Sequence, residues 1–154
     1  MITATQQLES YLESFSEFEK LAAGHDLPWL RRLRQDAFAR FCEVGFPTTH
    51  DEDWRFTNVS VIAQMPFQLA RNGRARLSQQ ELEPYRVAGV ACQLVFVNGC
   101  FVRELSLLGN LPDGVRVSSL AGEISSNPGA IEVHLGRYLD IRRDAFCALN
   151  TTFV

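Results

Sequence analysis

The sequence predicts an α+β fold in which an N-terminal helical part is followed by a β-hairpin and short strands. Two observations carry that prediction. From Leu8 to Phe41 apolar residues recur three and four positions apart, the spacing of a one-sided helix. Further on, Asn98-Gly99 separates two apolar runs, a strong short-range signal for a tight hairpin. A glycine-proline corner at Gly45-Phe46-Pro47 closes the helical part. The expected division is a helical subdomain over 1–66, a connector over 67–90, and a hairpin and short-strand region over 91–154.

The first helix is expected over 7–23, where Leu8, Tyr11, Leu12, Phe15, Phe18, Leu21 and Ala22 form an apolar stripe and Glu9, Glu13, Glu17 and Lys20 take the wet face. A second helix starts with Asp26 as its cap and Pro28 in its first turn, and runs through Trp29, Leu30, Leu33, Ala37, Phe38 and Phe41 to Gly45. Thr49 followed by Glu52 has the spacing of a capping box, so a short helical turn is expected over 50–59 with Trp54 and Phe56 as anchors. A brief turn of helix is expected over 78–82, inside the charged connector that begins at Arg71-Asn72-Gly73-Arg74.

In the hairpin a two-residue type I′ turn would set Val97 opposite Cys100, Val95 opposite Val102 and Gln93 opposite Glu104. Both faces are apolar near the turn, so both are expected to be covered. Beyond it, Pro112-Asp113-Gly114 marks a turn, 115–120 reads as a strand, 131–139 as a helix, and 149–154 as a terminal strand with an open edge. That edge predicts self-association of the isolated chain.

Composition narrows the function. With 46% hydrophobic and 21% charged residues, the 154-residue chain is globular and long enough for one domain with a core, or for two small subdomains sharing one. The net charge is −3, and tight basic groups occur only at Arg31-Arg32-Leu33-Arg34, between Arg71 and Arg76, and at Arg142-Arg143, which is no phosphate-backbone footprint. No stretch approaches the roughly 18 apolar residues of a membrane helix, and the first residues lack a secretory pattern. A cytoplasmic, soluble protein that binds neither nucleic acid nor membrane is expected.

The chemistry-bearing residues point away from catalysis. Cys42, Cys92, Cys100 and Cys147 are far apart with no C-x-x-C, so reduced and mostly buried thiols are expected, Cys42 as a core filler beside Phe38 and Phe41. In the hairpin register Cys92 and Cys100 point to opposite faces. His50-Asp51-Glu52-Asp53 reads as the solvated, acidic first turn of a helix rather than a hard-metal site. His25 and His134 have no serine, cysteine or paired acid at a suggestive distance, and both glycine-rich phosphate signatures are missing. No catalytic, cofactor-binding or metal-ligating residue is therefore assigned. Trp29, Trp54 and Phe56 are core or interface anchors, with core favoured for Trp54. Arg55 either pairs with Asp53 or Glu52 or presents its charge to a partner.

Gly45-Phe46-Pro47-Thr48, Glu52-Asp53-Trp54-Arg55-Phe56-Thr57, Leu94-Val95-Phe96-Val97-Asn98-Gly99, Leu111-Pro112-Asp113-Gly114-Val115 and Phe146-Cys147-Ala148-Leu149-Asn150 occur in one order. In that order they resemble the SufB/SufD family of iron–sulfur cluster assembly scaffolds, most closely the N-terminal region of its SufD branch. The SufD branch fits better because the corner arrives by residue 47, without the longer cysteine-bearing leader expected of SufB. The resemblance implies an accessory, non-enzymatic scaffold subunit acting with SufB-like and SufC-like partners, the latter an ATPase. It also implies a right-handed parallel β-helix following the last motif and missing from this chain. The iron–sulfur cluster would be carried by the assembled complex, with no cofactor in this part. The alternative is a self-standing protein–protein interaction module without a scaffold role.

Overall fold

Helical spacing becomes a helical hairpin at the start of the chain: α1 spans Ala4–Leu21 and α2 spans Pro28–Val44. The computed structural model describes residues 4–65, 67–70 and 77–154, and side chains from residue 9 onward. Leu8 of the expected stripe and the basic group between Arg71 and Arg76 lie outside those limits. The chain divides into two compact units, one made of Met1–Leu69 with Glu123–Val154 and the other of Ala70–Gly122.

In the first unit the stripes of α1 and α2 meet, with the Phe15 and Phe38 rings stacked at 4.5 Å. The connection turns at Gly24, whose φ of 68° suits glycine and where a β-carbon would come within 2.6 Å of Ile124. Asp26 does not cap α2. The N-cap is Leu27, in an extended conformation and without a side-chain bond, and Pro28 at the first helical position supplies the fixed φ that starts the helix. At the other end Gly45, with φ 67°, donates its N–H to Phe41 O at 2.8 Å and stops the helix as expected.

Helix α7, Ala145–Thr152, packs on α2 and completes this core. Residues 149–154 are thus the end of a helix and its exit, and not a strand. Asp144 caps the helix, the small Ala148 is fully buried and permits close approach, and the β-favouring Thr151 and Thr152 bury their hydroxyls by donating to Cys147 O and Ala148 O at 2.8 and 2.9 Å. The open edge on which self-association was expected does not exist. Shorter helices α3 (Ser60–Gln64), α5 (Leu120–Ser126) and α6 (Pro128–Glu132) occupy the links. The helix expected over 131–139 is therefore displaced to Pro128–Glu132, set by Pro128 at its first turn, and the strand expected over 115–120 does not form: 115–119 are irregular and α5 starts at Leu120.

The second unit is a set of short pieces. Helix α4 (Gln79–Leu82) has a complete capping box: Glu81 N–H donates to Ser78 Oγ at 3.3 Å while Ser78 N–H donates to the Glu81 carboxylate at 2.8 Å. Strands β2 (Phe96–Val97) and β3 (Cys100–Phe101) form the hairpin, with Val97 opposite Cys100 and a left-handed Asn98-Gly99 pair at φ 49° and 80°. The ladder continues through one bond, Val102 N–H to Val95 O at 2.9 Å, and then a tight turn at Arg103–Leu105 diverts the chain. Gln93 consequently faces Leu107, not Glu104, in a second antiparallel pair of β1 (Cys92–Gln93) with β4 (Leu107–Leu108). One hairpin face is covered at Val97, whereas Phe96 and Leu94 are exposed, so the expectation of two covered faces fails.

Candidate functional site

The residues that carry the resemblance at the two ends of the chain come together at the end of α2. Gly45 turns the chain back, and Phe46 folds onto the helix end, its ring edge-on to Phe41 at 5.2 Å and 5.7 Å from Tyr11. From the other end of the sequence Phe146, on α7, lies 5.7 Å from Phe46 and 5.1 Å from the half-buried Trp54. Trp54 thus seals the corner, as expected. Phe56 is not a core anchor: it is 94% exposed, with the Arg55 guanidinium 5.6 Å above its ring. The geometry gives Arg55 that cation–π contact in place of a local ion pair. Trp29 is half-buried at the start of α2.

The loop between Phe46 and Trp54 is tied by Thr48 and Asp51. Thr48 donates its N–H and its hydroxyl to one Asp51 oxygen at 2.7 and 3.2 Å, and the hydroxyl accepts the His50 N–H at 3.2 Å. The side-chain clasp therefore lies one residue earlier than the Thr49–Glu52 pair, and it is no capping box, since the Asp51 N–H donates to the Thr48 carbonyl at 3.0 Å. A short carboxylate at Asp51 reaches the backbone of Thr48 directly, and the turn that follows, Glu52–Trp54, is a single tight one with no side-chain cap. These Thr48 bonds hold the Asp51 carboxyl below the usual carboxylate range.

At the base of α7, Asp144 Oδ1 accepts the Cys147 N–H at 2.8 Å, and the Cys147 thiol donates to Oδ2 at 3.0 Å. The two shifts are opposite, as they must be for one proton shared in this sense: the bonds from Cys147 pull the Asp144 carboxyl down, and the bond to Asp144, with burial, pushes the thiol up. Cys147 is a protonated donor, a poor state for a nucleophile or a metal ligand. The other cysteines do not join it. Cys42 and Cys100 are exposed and Cys92 is half-buried, contrary to the expected burial, and Cys92 and Cys100 stand in separate two-stranded sheets. Cys42 falls outside the apolar stripe of α2, whose buried positions are Leu30, Arg34, Ala37, Phe38 and Phe41.

Among the described residues no three histidine, cysteine, aspartate or glutamate side chains converge on a metal position. The His134 ring stacks near Tyr138, with Nδ1 3.4 Å from its hydroxyl, and His25 contributes its carbonyl to Arg31 at 2.8 Å. No described helix is long and apolar enough to cross a membrane. A cleft of about 350 Å³ beside Trp54 mixes Arg40, Arg142 and Arg143 with Asp51, Glu52, Asp53 and Asp144, so charges of both signs line it.

Sequence reading missed Arg34. It is fully buried on the core face of α2, donates Nε to Val154 O and Nη2 to Ala23 O at 2.9 Å each, and sits 5.1 Å above the Phe18 ring. Burial lowers its pKa, with Glu19 acting in the opposite direction. The signal was present: Arg34 falls four residues after Leu30 and four before Phe38, inside the apolar stripe.

A family model described as the SufBD protein N-terminal region matches residues 5–154. Among curated proteins, the iron-sulfur cluster assembly SufBD family protein of Synechocystis sp. (strain ATCC 27184 / PCC 6803 / Kazusa) is 26% identical over 146 residues. The alignment covers 94% of this chain and 31% of that relative, so the chain spans about a third of its length. No solved structure matches.

Proposed function

We propose that this chain, which belongs to the SufBD family, is the N-terminal part of an accessory, non-catalytic scaffold subunit of SufD type. It acts in the cytoplasm with SufB-like and SufC-like partners, and the iron–sulfur cluster is the cargo of their complex. The observation that supports this best is the aromatic corner: Phe146 packs against both Phe46, at 5.7 Å, and Trp54, at 5.1 Å, and each of the three lies within a motif that carries the resemblance. The family motifs in this region thus serve packing. The cysteines are dispersed, and the one nearest the corner is held as a protonated thiol by Asp144.

On this reading α1, α2 and α7 form a brace whose work is positional. Arg34 bonds Val154 O and Ala23 O to the middle of α2, so the link after α1 and the exit from α7 are fixed to one helix. Nucleotide chemistry falls to the ATPase partner, since the phosphate-binding loops are missing from this sequence. The test is co-expression of the whole protein that contains this chain with its SufB and SufC counterparts. Co-purification with at least one is expected, and recovery alone in repeated trials would sink the proposal.

A further inference from the structure

One apolar face of the first unit stays open. A groove of about 300 Å³ lies between α1 and the end of α7, walled by Tyr11, Ile62, Phe67, Leu69, Leu149 and Phe153. Ser14 and Gln68 are its polar members. The stretch that supplies one wall is apolar beyond the groove itself: Val61, Ile62, Met65 and Phe67 are all exposed. A globular protein rarely leaves so many large apolar side chains together in water, and where it does they mark a contact.

Phe153 is part of the wall and Val154 follows it directly, its carbonyl held by Arg34 Nε at 2.9 Å. Any residue after Val154 therefore starts at the rim of the groove. The matched family region is N-terminal by its description, and the alignment takes up 31% of the matched relative. On the reading proposed above, on which this inference rests, further chain leaves the unit at this point. A segment tethered there meets the groove at an effective concentration on the order of millimolar, which a separate partner would have to outcompete. The stretch that follows the other wall in sequence, 71–76, is no substitute, since it carries three arginines and no large apolar side chain. We propose that the segment of the same protein that follows Val154 turns back over this groove and seats an apolar side chain in it. The exposed face of the first unit is thus an internal docking surface, closed by the protein's own continuation.

The test uses the whole protein that contains this chain, purified alone, with the photoreactive p-benzoylphenylalanine in place of Phe67, which keeps an aromatic side chain at the rim. Irradiation and peptide mass spectrometry should give cross-links within one molecule, from position 67 to residues beyond 154. Cross-links between two copies, or only to residues within 1–154, would overturn the proposal. In the unaltered whole protein, hydroxyl radicals should oxidise Phe67, 47% exposed in the structure of residues 1–154, as slowly as the buried Phe41 and far more slowly than Phe56. Oxidation of Phe67 at the rate of Phe56 would overturn it. Ile62→Asp, which sets a charge in the groove at a half-exposed position outside the core, should restore oxidation of Phe67; protection unchanged in that variant would also count against the segment. Neither readout involves the SufB or SufC counterparts, so the scaffold role is judged separately. A protein ending at Val154 would overturn the N-terminal reading and this proposal together, whereas a longer protein with Phe67 left open would overturn this proposal alone.

Discussion

The two units of this chain are held together by different forces. The first buries Leu30, Ala37, Phe41 and Ala148 to 2% exposure or less and packs aromatic rings of α1, α2 and α7 into one cluster. In the second, the buried apolar residues among those described are Val97 and Leu105, while Tyr85, Val87, Leu94, Phe96 and Leu107 remain exposed. What holds it instead are side-chain bonds to backbone: Gln79 to Glu104 O at 2.7 Å, Gln93 to Tyr85 O at 2.9 Å, and Arg86 to Leu105 O at 3.2 Å and to the Gln79 side chain. Net hydrogen-bond contributions are about 1 kcal/mol each, whereas full burial of a phenylalanine contributes about 1.5–3 kcal/mol. The lesson is that one chain can carry a unit built on burial and another built on polar clasps, and the second should open at lower free energy.

The largest effect that could break this comparison is in the core. Phe41→Ala should destabilise the first unit by about 3–5 kcal/mol, whereas Val97→Ala should cost about 1–2 kcal/mol and be felt by amides of residues 77–122. Urea denaturation combined with hydrogen exchange reads both. Loss of protection along α2 in Val97→Ala would mean that the units unfold as one.

A smaller effect tests the buried polar clasp of the apolar unit, Arg34. Arg34→Met should lower stability by about 1–3 kcal/mol, because the half-buried carbonyls of Ala23 and Val154 lose their donors. Arg34→Lys should recover little, since a single ammonium does not reproduce the fork. Thermal denaturation of the pair checks it. Full recovery by lysine would show that charge, and not the two-directional geometry, is what matters.

Smaller again is the cap of α7. Asp144→Ala should cost about 1 kcal/mol near neutral pH. Its carboxyl titrates below the unfolded-chain value, so its stabilisation is present above about pH 4 and is lost as the pH falls through the lower folded-state value. Cys147 works in the opposite sense: its raised thiol contributes below the unfolded thiol value and ceases to as the pH rises through the folded one. Asp144→Asn should keep the cap and flatten the acid limb of a stability–pH curve. An acid limb identical to that of the unaltered protein would show that other carboxylates govern it.

What could be read in advance follows the same division. The α1 and α2 stripes, the Gly45 stop and the Asn98-Gly99 turn were legible because spacing and dihedral preference fix them locally. The end of the chain was misread because Thr151, Thr152, Phe153 and Val154 favour strands in isolation, while Asp144 and the small buried faces of Ala145 and Ala148 on α2 override that preference. The hairpin was read with the right turn and the wrong length, since nothing in Arg103-Glu104-Leu105 announces the tight turn that breaks the ladder. At the site, the Phe46–Trp54 corner was visible, but its third member, Phe146, is brought by a contact a hundred residues distant in sequence that periodicity cannot encode. The thiols were misplaced for a simpler reason: burial averages describe cysteine in general, and Cys42 lies off its helix's buried stripe.

The first unit is discontinuous in sequence, with 70–122 inserted between its two parts. The consequence is kinetic as much as structural. The α1–α2 pair closes a short loop and can form early, whereas the bond from Arg34 to Val154 joins residues 120 apart and must wait for the whole insert to be gathered. Closure entropy grows only logarithmically, so the insert is free to vary in length. A dozen flexible residues added at the exposed Gly89 turn should slow the docking of α7 yet change equilibrium stability by well under about 0.6 kcal/mol.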